Sequence, residues 1–303
     1  VYPPSTAALE AVCAMAAGAD VAVKGSGVGF AGDELLTAVT SAARPDALRL
    51  YWDVDAPQTL AQIEAGEAPV LRQVLPDLDM VLTYGGGPPV VAAYRRLGAR
   101  SCTPIYNAFD PATHYPVPAE PHYAADLTFL GNRLPDREER VERFFLDAAA
   151  RLPDRRFLLG GAGWEDKPCP PNVRKLGHVP TAAHNALNLS AVAVLNISRD
   201  CMAKTGYSPA TRVFEAAGVG ACLMTDAWEG IEQFLTPGSE VLVVRDGADV
   251  ARALSRLTWD DAASVGAAAR ARILSQHTYD RRAVTVERLL AGALAAKRAE
   301  RAA

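Results

Sequence analysis

The 303-residue chain carries 31 Lys and Arg against 35 Asp and Glu, a formal net charge of −4, with 50% hydrophobic and 22% charged residues. That is apolar material for about two domains of about 150 residues each, which excludes a disordered chain. The mild negative balance excludes a surface built to hold nucleic-acid backbones, so no nucleic-acid partner is expected. No apolar run reaches the roughly 18 to 20 residues that cross a bilayer. The five cysteines (Cys13, Cys102, Cys169, Cys201, Cys222) are odd in number, scattered and never two apart by a C-x-x-C spacing. They point to a reducing cytoplasmic setting rather than to a disulfide framework or a structural zinc site.

In chain order, the apolar run over 20–24 predicts a buried strand and the periodicity over 33–43 a helix. A strand over 48–52, a helix over 59–64, a strand over 80–83 and a helix over 89–97 follow. Between 107 and 122 the periodicity stops and Pro111, Pro116, Pro118 and Pro121 cluster, as in a connecting segment. The alternation resumes with a strand over 127–130, a helix over 137–152 and strands over 157–160 and 173–176. A helix from 182, an apolar strand over 191–197, a helix over 211–217 and strands over 221–225 and 240–244 come next. Helices over 248–257, 259–275 and 281–301 close the chain.

Strand–helix alternation of this kind predicts an α/β fold of two Rossmann-like, doubly wound domains with parallel sheets, facing a cleft. The expected parts are a first domain over 1–110, a Pro-rich linker over 111–125, a second domain over 126–280 and a C-terminal helix over 281–303 packing back on the body. The first part is short for a complete domain of this kind, which predicts that its first βα unit is absent from this numbering. Ligands of such sheets bind beyond the carboxyl ends of the strands. The last helix carries Leu289, Leu290 and Leu294 beside Lys297 and Arg301. Its leucine stripe is expected to pack on a domain, leaving the charges in water rather than on a membrane.

Gly27, Gly29 and Gly32 have the G-x-G-x-x-G spacing, follow an apolar strand, precede a helix and have Asp53 at the end of the next strand. A dinucleotide-binding loop has this form. Asp33 and Glu34, however, stand where a pyrophosphate would meet the helix N-terminus and would repel it, and Asp33 is a natural N-cap. Two readings stay open: an oxidoreductase that binds NAD(P) through this loop, and a glycine-rich loop whose Gly27 and Gly29 line the cleft.

In the second half, Arg212 and Glu215 lie three apart on one predicted helix face, beside a loop with Lys204 and Gly206. A cation and a carboxylate near a helix N-terminus suit a nucleoside diphosphate: guanidinium and dipole bind phosphate, and the carboxylate accepts two ribose hydroxyls. An exposed ion pair has the same spacing. His178, between Gly177 and Val179 after a strand, is a candidate ligand contact. His114, His122, His184 and His277 fall in linker, helix or capping contexts and are expected to be structural or solvated. No two histidines have ligand spacing with a carboxylate on one face, so no catalytic metal is expected. The run Arg137, Glu138, Glu139, Arg140, Glu142, Arg143 predicts a solvated helix face.

The stretch 212–235, with Asp226, Trp228, Glu229, Gly230 and Glu232, resembles the donor-binding segment of GT-B glycosyltransferases and, more narrowly, of the CgeB-type (spore-maturation) group. Tyr51, Asp53, Asp55 and Pro57 resemble its first-domain aspartate–proline segment, and Tyr106, Asn107, Asp110 and Pro111 its entry to the linker. Phe129, Gly131, Asn132 and Arg133 resemble the first turn of its donor domain. Pro237, Gly238 and Glu240, then His277, Thr278, Tyr279, Arg281 and Arg282, continue a likeness that covers most of residues 50–282.

The resemblance implies transfer of a sugar from a UDP-, GDP- or dTDP-sugar, without metal or further cofactor, to a small-molecule, glycan or protein acceptor held mainly by the first domain. It implies donor-binding roles for Gly131, Asn132 and Arg133 at the diphosphate turn and for His178 and Val179 beside the base. It implies a phosphate contact for Arg212, a ribose contact for Glu215 and a sugar-facing loop at Trp228, Glu229 and Gly230, with Lys204 and Ser208 among the donor-binding residues. Many retaining enzymes of this fold carry another glutamate eight positions before the ribose-binding one. Tyr207 stands there instead, and its hydroxyl can still bind sugar or phosphate. Retention of configuration is the expected course. An inverting course would need a base on the acceptor hydroxyl, for which Asp53 and Asp55 are candidates, although aspartates also organise turns before a proline such as Pro57. A non-catalytic sugar-nucleotide-binding protein is the remaining alternative.

Overall fold

The computed structural model describes residues 5–27, 29 and 31–302. Val28 and Phe30 of the glycine-rich loop lie outside the described residues. The chain forms two compact units, residues 1–106 with 282–303 and residues 107–281.

The first unit runs α1 (Thr6–Gly18), β1 (Val21–Gly25), α2 (Gly32–Ala42), β2 (Leu48–Asp53), α3 (Ala56–Glu64), α4 (Pro69–Val74), β3 (Met80–Thr83), α5 (Gly87–Arg96) and β4 (Cys102–Pro104). Its four strands are parallel and ordered β1-β2-β3-β4. Successive strand side chains point to opposite faces. One face packs Tyr51 and Val81 against Leu36, Ile63, Leu71, Val90 and Tyr94 of the crossover helices. α1 and α4 were not visible as periodicity. The first is alanine-rich, with only Ala8 and Ala16 buried, and the second spans 6 residues, too short to show a stripe.

The second unit begins with β5 (Ala125–Leu130), followed by α6 (Glu138–Val141) and α7 (Asp147–Arg151), which a π turn over Glu142–Leu146 joins. Then come β6 (Phe157–Gly160), β7 (Val173–Gly177), α8 (Thr181–Leu189), β8 (Ala191–Asn196), α9 (Asp200–Thr205), α10 (Thr211–Val219), β9 (Leu223–Asp226), β10 (Leu242–Val244), α11 (Gly247–Arg256) and α12 (Trp259–Gln276). Six parallel strands lie in the order β10-β9-β8-β5-β6-β7. The order reverses beside β5, and a doubly wound sheet binds its ligand at such a switch point. Gly220, in the left-handed region at φ +95, ends α10 as a C-terminal glycine does.

The last helix, α13 (Tyr279–Ala302), returns to the first unit. Its Val286, Leu289, Leu290 and Leu294 cover Leu48, Leu50, Met80, Leu82 and Ile105 on the second face of that sheet. Lys297 donates to Asp79 at 2.6 Å and to the Ala47 carbonyl at 2.7 Å.

The Pro-rich stretch is no separate linker; it lies inside the second unit. Phe109 pairs its backbone with His277 (2.8 Å) and Tyr279 (3.1 Å). Its ring occupies the space where a Cβ on Gly218 would lie, 2.2 Å away. Tertiary contacts therefore order a segment that has no periodicity of its own. Among the described residues no helix is long and apolar enough to cross a membrane.

Candidate functional site

In the first unit the sequence-derived residues gather at the carboxyl ends of β1 and β2. Asp53 is fully buried. The Tyr94 hydroxyl donates to its Oδ2 at 2.5 Å, and the Thr59 hydroxyl (2.9 Å) and the Asp55 backbone N–H (3.1 Å) donate to Oδ1. Burial raises its pKa against the pull of these donors. A general base must reach a substrate hydroxyl, whereas this carboxylate meets protein donors and holds the end of β2 to α3 and α5. Asp55, half-buried at the start of α3, lines a pocket of 480 Å³ with Lys24, Ser26, Gly27, Tyr51 and Gln58.

The third glycine of the glycine-rich loop lacks the helix–strand packing of a dinucleotide fingerprint. A Cβ on Gly32 would meet nothing within 4 Å, so this glycine serves no close packing of helix on strand within the protein. The first turn of α2 carries Asp33 and Glu34, the wrong charge for a pyrophosphate.

The second unit links Glu215 and Arg212, both on α10, to residues from three other segments. Arg212 Nη1 lies 3.6 Å from Glu215 Oε2, and the two side chains are 14% and 16% exposed. The Arg212 Nε and Nη1 find no hydrogen-bond partner. Burial pushes the Arg212 guanidinium below its ordinary value against the attraction of Glu215. An arginine does not give up its proton in a protein, so that direction marks a cation short of negative partners. His114, from the Pro-rich stretch, approaches Glu215 with Nε2 at 3.5 Å from Oε1. Burial raises Glu215, but the His114 hydrogen bond and the Arg212 and His114 charges outweigh it, and the carboxyl lies below its ordinary value.

The turn after β5 meets Arg137, whose guanidinium feels the charge of Arg212. Gly131 N–H donates to the Gly160 carbonyl at 3.0 Å, and Asn132 Oδ1 accepts from Ala162 N–H at 3.0 Å. Gly161, at φ +119, passes so close that a Cβ there would lie 2.2 Å from the Gly131 carbonyl oxygen. A Cβ on Gly131 itself would lie 3.0 Å from Arg137 Nη1, so this glycine lets a guanidinium close on the turn. Burial, with the Arg199 and Arg212 charges, holds Arg137 below its ordinary value, and its Nε is unpartnered. Arg140 donates to the fully buried Asp226 at 2.6 Å. The run from Arg137 to Arg143 is thus not wholly a solvated face. Arg137 and Arg140, three apart, share the inward side of the segment, a spacing that was legible in the sequence.

Other expected residues are placed differently. Arg133 is held by Glu138 (2.7 and 2.8 Å) and Asp166 (2.9 Å), and with Lys167 it holds Glu138 down to about 2. Lys204 is exposed and pairs with Asp200 at 2.5 Å. The Trp228 indole is buried and donates inward to Thr225 Oγ1 at 3.3 Å. His178 is exposed, while Val179 is buried and its carbonyl lies 3.1 Å from His184 Nε2. Ser208, buried, donates to the Gly206 carbonyl at 2.9 Å.

Tyr207 and Glu229 form one structure. Tyr207 sits at φ +48, an uncommon conformation for a residue with a side chain. Its N–H donates to the Glu229 carbonyl at 2.6 Å and its hydroxyl to Glu229 Oε1 at 2.9 Å. A Cβ on Gly230 would lie 2.2 Å from the Tyr207 ring, so the glycine makes room for the tyrosine. Sequence reasoning missed His114, Asn185 and Arg137. Contact between His114 and Glu215 spans about a hundred residues and leaves no mark in local spacing. Among the described residues no group of three or more His, Cys, Asp or Glu is arranged to hold a metal ion.

A family model described as glycosyl transferase-like matches residues 137–288, just over half of the chain. None of the curated proteins matches by sequence. Among solved structures, sucrose-phosphate synthase from Thermosynechococcus elongatus aligns over 95% of this chain and 77% of its own, with TM-score 0.71 and 15% identity. Anabaena HepE in complex with UDP and glucose aligns over 96% and 84%, with TM-score 0.69 and 13% identity. T4 phage BGT in complex with its UDP-glucose substrate aligns over 88% and 79%, with TM-score 0.55 and 15% identity. At such identities the likeness carries the fold, two Rossmann-like α/β domains with parallel sheets.

Proposed function

The chain belongs to the glycosyl transferase-like family, and on that premise we propose that it moves a sugar from a UDP-sugar donor, held by the second unit, to a hydroxyl-bearing acceptor. Membership in this family displaces the NAD(P)-dependent alternative, and the acidic first turn of α2 agrees with that. The observation that carries the donor site is the pair of undercompensated guanidiniums, Arg137 and Arg212, beside the Gly131 turn and the ionised Glu215. A diphosphate supplies the negative charge these cations lack. Ala210 gives α10 no capping side chain, so its first-turn N–H groups add to the anion site. Glu215 accepts the ribose hydroxyls. UDP is the nucleotide because HepE and T4 phage BGT are seen with UDP or UDP-glucose.

The Tyr207–Glu229 unit faces the transferred sugar in this reading, with Glu229 supplying the carboxylate that is absent at position 207. The pocket at Asp55 and Gln58 takes the acceptor, a small molecule, glycan or protein. Retention of configuration is the course we favour, by analogy with the wider GT-B group, and Asp53 is already engaged by protein donors. Leaving-group charge falls on Arg137 and Arg212 as fixed electrostatic stabilisers, without a metal. The segments around Asp53, Gly131 and Trp228 support the narrower CgeB-type assignment, and an odd, scattered set of five cysteines suits the cytoplasm.

The test is calorimetry of UDP, GDP, dTDP and NAD against the wild-type chain and Glu215→Gln, followed by donor turnover with a chelator present and proton NMR of the anomeric product. UDP binding that Glu215→Gln weakens by about 30-fold is the expected result. Binding with no turnover on any acceptor tested would return the sugar-nucleotide sensor, and NAD binding alone would overturn the donor site.

A further inference from the structure

His114 reaches Glu215 from outside its helix, and the geometry around its ring settles which nitrogen carries the proton. Its Nδ1 lies 3.1 Å from Asn185 Oδ1, and Asn185 Nδ2 donates to the Thr113 carbonyl at 3.2 Å. A backbone carbonyl only accepts, so the amide nitrogen of Asn185 faces Thr113 and its oxygen faces His114. The proton on Nδ1 is fixed by that arrangement. A neutral imidazole would then aim the lone pair of Nε2 at Glu215 Oε1, 3.5 Å away. An imidazolium aims an N–H at it instead. Turning the amide over to free the other tautomer would set its oxygen against the Thr113 carbonyl.

We infer that His114 is a positioning residue for the donor: as an imidazolium it holds the Glu215 carboxylate toward the ribose diol, so that donor binding depends on its protonation. This rests on the reading of Glu215 given above. The carboxylate has room for both duties, because its two oxygens offer about four acceptor sites. His114 Nε2 faces Oε1, and Arg212 Nη1, 3.6 Å from Oε2, makes no hydrogen bond to it, so acceptor sites on both oxygens remain for a vicinal diol.

The charged and titratable neighbours of His114 are Glu215 and Arg212 on α10, His184 on α8 with its ring stacked at 6.4 Å, and Asp110 in its own segment. The hydrogen bond to Glu215 raises His114, burial and Arg212 lower it, and the balance is a raised value. Burial and Arg212 push His184 down. A raised histidine keeps its proton to higher pH. The His114–Glu215 contact is therefore complete on the acid side and is lost as pH rises through the folded value.

Binding of UDP-glucose, whose phosphates do not titrate near neutrality, is measured by calorimetry on the full chain between about pH 6 and about pH 8.5, in buffers of contrasting ionisation enthalpy. Wild type is expected to take up a proton on binding at the upper end and to lose about tenfold in affinity across the range. His114→Gln, which keeps a neutral N–H donor, is expected to bind without proton uptake and with a flat profile. No proton uptake in wild type, while Glu215→Gln still weakens binding, overturns the role of His114 and leaves the donor site standing. UDP-glucose binding that ignores Glu215→Gln, or no binding at all, overturns the donor-site reading and this inference with it. The wild-type proton count needs no variant, so a His114 variant that fails to fold leaves the test decisive.

Discussion

Each unit encloses a carboxylate that its sequence marks as a candidate for chemistry, and the two are kept in opposite ways. Asp53 is fully buried among neutral donors, the Tyr94 and Thr59 hydroxyls and the Asp55 N–H, and its pKa is raised. Glu215 is 16% exposed between His114 and Arg212, and its pKa is lowered despite its burial. Neutral donors use up the lone pairs of a buried carboxylate without matching its charge, so the group becomes a fastener of the backbone. Cationic partners keep it ionised while leaving acceptor sites open, so it remains available to a ligand. Partner chemistry, not burial alone, separates the two carboxylates.

The largest effect that would sharpen this contrast is expected at Arg212. If Arg212 stabilises a leaving diphosphate as proposed, Arg212→Ala should lower kcat/KM by about 10²-fold or more with little change in melting temperature. A variant that melts early and turns over normally would instead make the Arg212–Glu215 pair a fastener like Asp53. At Asp53 the expectation is reversed. Asp53→Ala strands the Tyr94 and Thr59 hydroxyls in the core, so urea unfolding should show a loss of about 2–3 kcal/mol while the folded fraction keeps its kcat. Normal stability with a collapsed kcat would break the comparison and return Asp53 as the catalytic base.

The smallest effect is in acid. Asp53, raised, holds its proton more tightly folded than unfolded, so its stability contribution declines as pH rises from the ordinary carboxylate range through the folded value. Glu215, lowered, contributes fully above its unfolded value, and that contribution is lost as pH falls through the folded one. Unfolding free energies of Asp53→Asn and Glu215→Gln, each referred to wild type from about pH 3 to about pH 6, should therefore slope in opposite directions, by about 1 kcal/mol or less.

Much of the fold was legible along the chain. The apolar runs at Met80–Thr83 and Phe157–Gly160 coincide with strands because both are buried on two faces, where only continuous hydrophobic residues fit. Short elements such as α4 and α9, of 6 residues each, were not legible, since one and a half turns show no period. Within the candidate site, the i,i+3 spacing of Arg212 and Glu215 was visible as such. That Trp228 turns inward to Thr225, or that Arg133 is already engaged by Glu138 and Asp166, was not, because the direction of a side chain depends on what packs against it.

By itself, then, the sequence determined the strand–helix alternation and the i,i+3 spacing of a cation and a carboxylate on α10, both of which are local. Tertiary structure alone decided that His114 sits between Asn185 and Glu215, that Arg137 closes on the Gly131 turn, and that Asp53 is sealed by Tyr94. The physical reason is common to all three. A side chain's charge and donor count are written at its own position, whereas the partners that spend or spare them come from residues far along the chain, and only folding brings those within a few ångströms.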